Sequence, residues 1–211
     1  MGMPLPRLTP ETLRAGVLEM CDEAGQMLRL AREAFLHPSP QTQARLAALA
    51  QELHRREKRL TDHAAMEVRE RPWSLGPAEH LAFLPAGLER VGDCIEGLAR
   101  CQSILHGEGL GYSERAIGEM MSLYGRAAAL LDTFTTILRT GACHELPGLR
   151  RAGEEFEALC DTVALSHQER VLQGICLPRA SSVFLSMLDS FREIERYVRR
   201  MSVSVAKSLA G

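Results

Sequence analysis

The run Leu81-Ala-Phe-Leu-Pro-Ala-Gly-Leu-Glu-Arg-Val-Gly-Asp-Cys-Ile-Glu-Gly-Leu98 decides the fold. Leu81, Leu84, Leu88, Val91, Ile95 and Leu98 recur three and four residues apart. That is the period of one face of an α-helix and not the alternation of a strand. A helix is therefore expected over about 78–106, kinked at Pro85 because proline has no amide proton to donate to the preceding turn. Glu89 and Asp93 stand at i and i+4, with Glu96 one turn further on. Like charges at that spacing cost roughly 0.2–0.5 kcal/mol on an exposed helix. They flank the stripe of Leu88, Val91 and Ile95, which points them toward a groove beside it.

The same period continues on both sides of this run. Upstream, Thr9 caps a helix over about 10–36, with Pro10 at its first position and Glu11 in its first turn. Its stripe is Leu13, Val17, Met20, Ala24, Met27, Leu28 and Ala31, and His37-Pro38-Ser39-Pro40 ends it, since a residue before proline leaves the α region. A second helix over about 41–70 presents Leu46, Leu49, Leu53, Leu60 and Ala64 and ends at a break over 72–77. Downstream, Gly107-Glu-Gly-Leu-Gly111 is the strongest break and falls at the midpoint. Helices are expected beyond it over about 113–140, with Ser113 as cap, then 147–173 and 179–209. Three helices, a glycine break and three more suggest an internal duplication. Gly76-Pro77 before Leu88–Asp93 can be laid against Leu177-Pro178 before Phe191–Arg196, offset by two residues and with few identities. Short connections make neighbours antiparallel, so the expected fold is all-α: two tandem up-down three-helix bundles, residues 1–108 and 109–211.

Composition agrees. The chain has 211 residues, 25 Lys+Arg against 27 Asp+Glu, 45% hydrophobic and 25% charged residues, which is globular balance and excludes wholesale disorder. A formal charge of −2 argues against a general nucleic-acid binder. The longest stretch free of Asp, Glu, Lys and Arg, Ala34 to Ala44, is too short and broken to span a bilayer, which needs about 20 apolar residues. The first eight residues lack the apolar core of a signal peptide, so a soluble chain is expected. Six scattered cysteines with no C-x-x-C pair suit neither a zinc knuckle nor a disulfide framework. Cys94 and Cys101 are expected as small core residues in a reducing cytosol.

The second helix carries one acid that stands out. Glu57 lies four residues after Leu53 and three before Leu60, inside the apolar stripe, where a carboxylate must be paired, hydrogen-bonded or metal-bound. His54, Asp62 and His63 are within a turn or two. Carboxylates converging from facing helices build oxygen-rich metal sites, while Arg55, Arg56, Arg59 and Arg90 are placed to neutralise the same acids as ion pairs; spacing leaves both open. In the last third, Glu154, Glu155, Glu157 and Asp161 read as acids favoured near a helix N-terminus, and His167 as a satisfied, half-buried histidine. No nucleophile turn of the G-x-S-x-G kind is present, and Gly107–Gly111 lacks the Lys and Ser/Thr of a phosphate-binding loop, so no enzymatic activity is expected.

Glu89-Arg90-Val91-Gly92-Asp93, in a proline-initiated helix, resembles the signature of the PhoU family, proteins of two three-helix repeats whose E-x-x-x-D helices bind metal clusters. Two further segments are similar to the cytoplasmic tails of bacterial sodium/phosphate cotransporters: Tyr112-Ser-Glu-Arg-Ala116 leading to Glu119, and Ser166-His-Gln-Glu-Arg-Val-Leu-Gln-Gly-Ile-Cys176 followed by Pro178 and Ser181-Ser182. The resemblance covers roughly residues 52–203. It implies a metal site (Fe, Zn or Mg) at Glu89 and Asp93, with Glu57 as the acid chosen from the second helix. Arg192 and Arg196 stand where a second Glu/Asp pair would be, so one site in the first half is expected. It further implies a cytoplasmic homodimer, peripheral at the inner membrane through a transporter. Its role would be to restrain phosphate uptake or signalling by docking to a phosphate transporter or sensor kinase. A carboxylate-bridged metalloenzyme and a purely structural oligomerisation module are the competing expectations.

Overall fold

Helices form where apolar period and capping chemistry agree. The computed structural model describes residues 7–71 and 75–210. The expected break at 72–77 therefore falls partly outside the described residues, as does the start of the chain.

In α1 (Pro10–Leu36) the Thr9 hydroxyl accepts from the Thr12 amide while the Thr12 hydroxyl accepts from the Thr9 amide, a reciprocal cap. α2 (Pro40–Glu70) is capped by Ser39, which accepts from the Thr42 amide. The expected helix over 78–106 divides. Gly76–Phe83 is a 3-10 segment, and α3 runs Leu84–Gly107. Pro85 sits in the first turn of α3, where its missing donor has no partner to lose, so it starts the helix and does not kink it. Ser113 caps α4 (Glu114–Thr140), and Gly141 closes it in the left-handed region at φ 74°. After a single 3-10 turn (Cys143–Glu145) come α5 (Leu146–Leu172) and α6 (Pro178–Ala210). No strand occurs among the described residues.

α1, α2 and α3 pack on one another, as do α4, α5 and α6, and the two sets join along α3–α6 and α1–α4. One buried apolar cluster draws on all six helices. The few aromatics gather at the joint: Tyr124 meets Phe35 at 5.7 Å and Phe191 edge-on at 4.9 Å, and Phe156 meets Phe191 at 6.3 Å. This links α1, α4, α6 and α5 through ring edges and faces. Close approach of α3 and α6 depends on Gly87, where an added Cβ would lie 2.8 Å from Met201. The six cysteines are free. Cys21 and Cys160 are buried, whereas Cys94 and Cys101 are half-buried at the edge of the core. No helix among the described residues is long and apolar enough to cross a membrane.

Candidate functional site

Glu89 and Asp93 do face a groove. It lies between α2 and α3, holds about 400 Å³, and is lined by His54, Arg55, Glu89, Asp93 and Glu96 over a floor that includes Leu53 and Gly92. Gly92 makes the floor shallow: a Cβ there would come within 2.5 Å of Leu53 Cδ2, so the two helices meet backbone against side chain. Within the groove His54 Nδ1 and Glu89 Oε1 share a hydrogen bond of 2.9 Å, and Arg90 donates to Asp93 Oδ2 at 3.0 Å. Burial pushes the Glu96 carboxyl above its usual range, Asp93 adds to that, and Arg100 opposes it.

Glu57 does not line this groove. It is half-buried and accepts a hydrogen bond from the Thr61 hydroxyl at 2.9 Å. The residue α2 contributes opposite Glu89 is His54. The four arginines are spent as ion pairs. Arg55 and Arg59 bind Glu52 at 2.9 and 3.1 Å, Arg56 bridges to Glu19 and Glu23 of α1, and Arg90 holds Asp93. Among the described residues no three His, Cys, Asp or Glu side chains are gathered as a metal ion requires. In this arrangement Glu89 is shared with His54, and Asp93 with Arg90.

The buried acids lie elsewhere, where sequence reading did not look. Glu67 of α2 is 2% exposed and accepts hydrogen bonds from Arg71 Nε and Nη2, at 2.8 and 2.7 Å. Glu195 of α6 is also buried and bound by Arg199 at 3.3 Å; Gly153 of α5 makes room for it, since a Cβ there would lie 2.6 Å from Glu195 Oε1. The acids early in α5 also have partners. Glu154 pairs with Arg150, Glu155 with Arg126, Glu157 with Arg199 and Asp161 with Arg192. Because α5 begins at Leu146 and has no acid in its first turn, ion pairing and not the helix dipole accounts for them.

The second half holds a built polar cluster. Arg170 is 5% exposed and grips Glu119 of α4 with two nitrogens, at 2.8 and 2.6 Å, while the Ser166 hydroxyl adds a bond to Glu119 Oε1 at 2.8 Å. Burial alone would raise the Glu119 carboxyl, but the bonds from Arg170 and Ser166 outweigh it and hold it below the usual range. His167 is fully buried, against the half-buried expectation. It stacks flat on Phe184 at 4.2 Å and makes no hydrogen bond through either ring nitrogen among the described residues. Burial, reinforced by the nearby Arg170 charge, pushes its pKa down. Arg192 and Arg196, expected as cations in a would-be ligand position, pair with Asp161 and Glu193.

Six helices in two mutually packed sets of three, sharing one core, are the architecture of a PhoU-like fold. Among solved structures the chain matches PhoU from Pseudomonas aeruginosa with a TM-score of 0.77 at 17% identity, over 95% of this chain and 97% of that one. No family model matches the chain, and no curated protein does.

Proposed function

We propose that this chain is a PhoU-like regulator of phosphate uptake or homeostasis that acts by docking to a phosphate transporter or sensor kinase. The observation that carries the reading is the match of nearly its whole length to nearly the whole length of PhoU from Pseudomonas aeruginosa. The signature residues support it in a structural sense. Glu89 and Asp93 share one groove, and Ser166 and Arg170 of the cotransporter-like segment clasp Glu119 inside the molecule. Those segment residues are used to hold α4 on α5, so they specify the scaffold and leave partner choice to other surfaces.

Metal enters this reading only by rearrangement. An ion on Glu89 and Asp93, with Glu57 recruited, requires His54 and Arg90 to release the two carboxylates. Calorimetric titration with Zn, Mg or ferric ion, on the wild type and on the Glu89→Gln/Asp93→Asn variant, reads this directly. Saturable heat lost in the variant supports that site, and identical traces remove it.

The function itself is tested by affinity capture of the chain from cells grown with scarce and with abundant phosphate, alongside phosphate uptake in cells lacking it. Recovery of a phosphate transporter or its kinase, with altered uptake on deletion, is the expected outcome. Unchanged uptake and no such partner under both regimes would overturn it.

A further inference from the structure

From Tyr197 to its end, α6 carries Arg199, Arg200 and Lys207 and no Asp or Glu. It is flanked there by a cleft on either side. Toward α3 the cleft holds about 310 Å³. Arg200 lies over the Tyr197 ring at 5.9 Å on one wall, Arg90 stands on the other, and Phe83 is 69% exposed at the edge. Toward α5 the cleft holds about 460 Å³, with Leu146, Pro147, Val203 and Ala206 as apolar lining and Arg150 and Arg199 on its rim. Val203, itself 53% exposed, sits on this second side.

We propose that this face of α6 docks an acidic, amphipathic peptide segment of a partner protein, with apolar side chains seated in the two clefts and carboxylates at Arg200 and, by exchange with Glu154, at Arg150. This rests on the docking reading above and names the chemistry of the partner. Arg200 has no carboxylate partner among the described residues, so its charge is open to an incoming acid. The Arg150–Glu154 pair is exposed on both sides and exchanges at little cost. An apolar floor with a cationic rim fits a helix bearing Leu-type anchors on one face and acids at its margin. A bilayer fits less well. The clefts are concave, and Asp93, Glu154 and Glu157 stand beside Arg90, Arg150 and Arg199, where they would repel a uniformly anionic surface. A peptide can place its acids between them.

The test is fluorescence anisotropy on the purified chain, with no phosphate-dependent readout, so its failure is separable from failure of the regulatory reading. The probe is a fluorescein-labelled synthetic helical peptide with Leu at i, i+3, i+4 and i+7, Glu at the margin of the Leu face and Ala elsewhere. Controls are the same peptide with Gln for Glu, and phosphatidylglycerol/phosphatidylcholine vesicles. The expected result is saturable binding of the Glu peptide that weakens with salt. Arg200→Glu and Val203→Asp should each weaken it about tenfold, Arg200→Lys should restore it, and Leu172→Asp at the opposite end should leave it unchanged. Arg200 and Val203 are exposed, so these variants keep the fold, which circular dichroism checks. Absence of saturable binding, equal binding of the Gln peptide, indifference to Arg200→Glu, or binding to vesicles that the peptide does not displace would each overturn the proposal.

Discussion

Gly92 and Gly118 show how a glycine's neighbours decide what it does. At Gly92 an added methyl group would strike Leu53 at 2.5 Å, and Leu53 is itself buried in the core. Gly118 in α4 has open space around its missing Cβ. Gly92→Ala should therefore destabilise the protein by about 1–3 kcal/mol through overpacking. Gly118→Ala should stabilise it by about 0.4–1 kcal/mol by reducing the freedom of the unfolded chain. Urea denaturation of the two variants should move the midpoint in opposite directions. The second half offers a pH test. His167 has a folded pKa below its unfolded one, so the unfolded state takes up the proton first, and stability falls as pH drops below about 6.5. Glu119 is a depressed carboxyl, and its contribution is present above its unfolded value and lost as pH falls through the folded one, further into acid. His167→Phe should accordingly flatten the loss of thermal midpoint between pH 7 and pH 5 while leaving the steeper loss in stronger acid. An unchanged slope would remove His167 as its source. Residue-level legibility had a clear limit. At about 100° per residue Glu57 and Glu67 lie about 40° either side of Leu53, on opposite edges of one stripe. The segment from Arg7 to Leu8 lies against the Glu67 edge and helps cover it, and no period in α2 reports that.

Among the elements, what could be read was whatever local chemistry fixes. Thr9 and Ser113 announce their helices because a hydroxyl at the cap has a free amide to bind, and both do so in the structure. Ser113→Ala should cost about 1 kcal/mol in denaturant unfolding, with amide exchange quickening first in the opening turn of α4; no change in either would show that tertiary contacts hold that turn without the cap. The start of α3 was misplaced for a reason that is also local. Pro77 and Pro85 are each acceptable at a helix start, and the apolar period runs through both. The chain resolves this with a 3-10 segment whose tighter winding carries Leu81 into the core before α3 begins at Leu84. The groove at Glu89 and Asp93 was legible because flanking acids on a helix with a known apolar face have one direction to point. Its opposite wall was not, since His54 reaches Glu89 across thirty-five residues of sequence, a register set by how α2 slides along α3.

At the scale of the whole molecule the number of helices and their pairing follow from period, breaks and short connections, but the joint between the two sets of three does not. Phe35, Tyr124, Phe156 and Phe191 look like ordinary core residues of four separate stripes, yet they meet as one group of rings. The buried apolar cluster runs without a gap from Leu53 in α2 to Phe156 in α5. A core that is continuous across α3–α6 and α1–α4 leaves neither set a complete surface of its own, because parting them would expose Met201, which meets Gly87, and Tyr124, which meets Phe35, to water. The protein should therefore unfold in one cooperative step. Leu53→Ala removes a side chain 1% exposed in the first set and should cost about 2–5 kcal/mol; Phe156→Ala, equally buried in the second, should cost about 3–5 kcal/mol. In differential scanning calorimetry each should shift the same single transition, and in the double variant the losses should add, since the two sites lie in different sets. Two resolved transitions, each moved by only one of the substitutions, would mean instead that the sets are stable separately and that the ring cluster is contact without coupling.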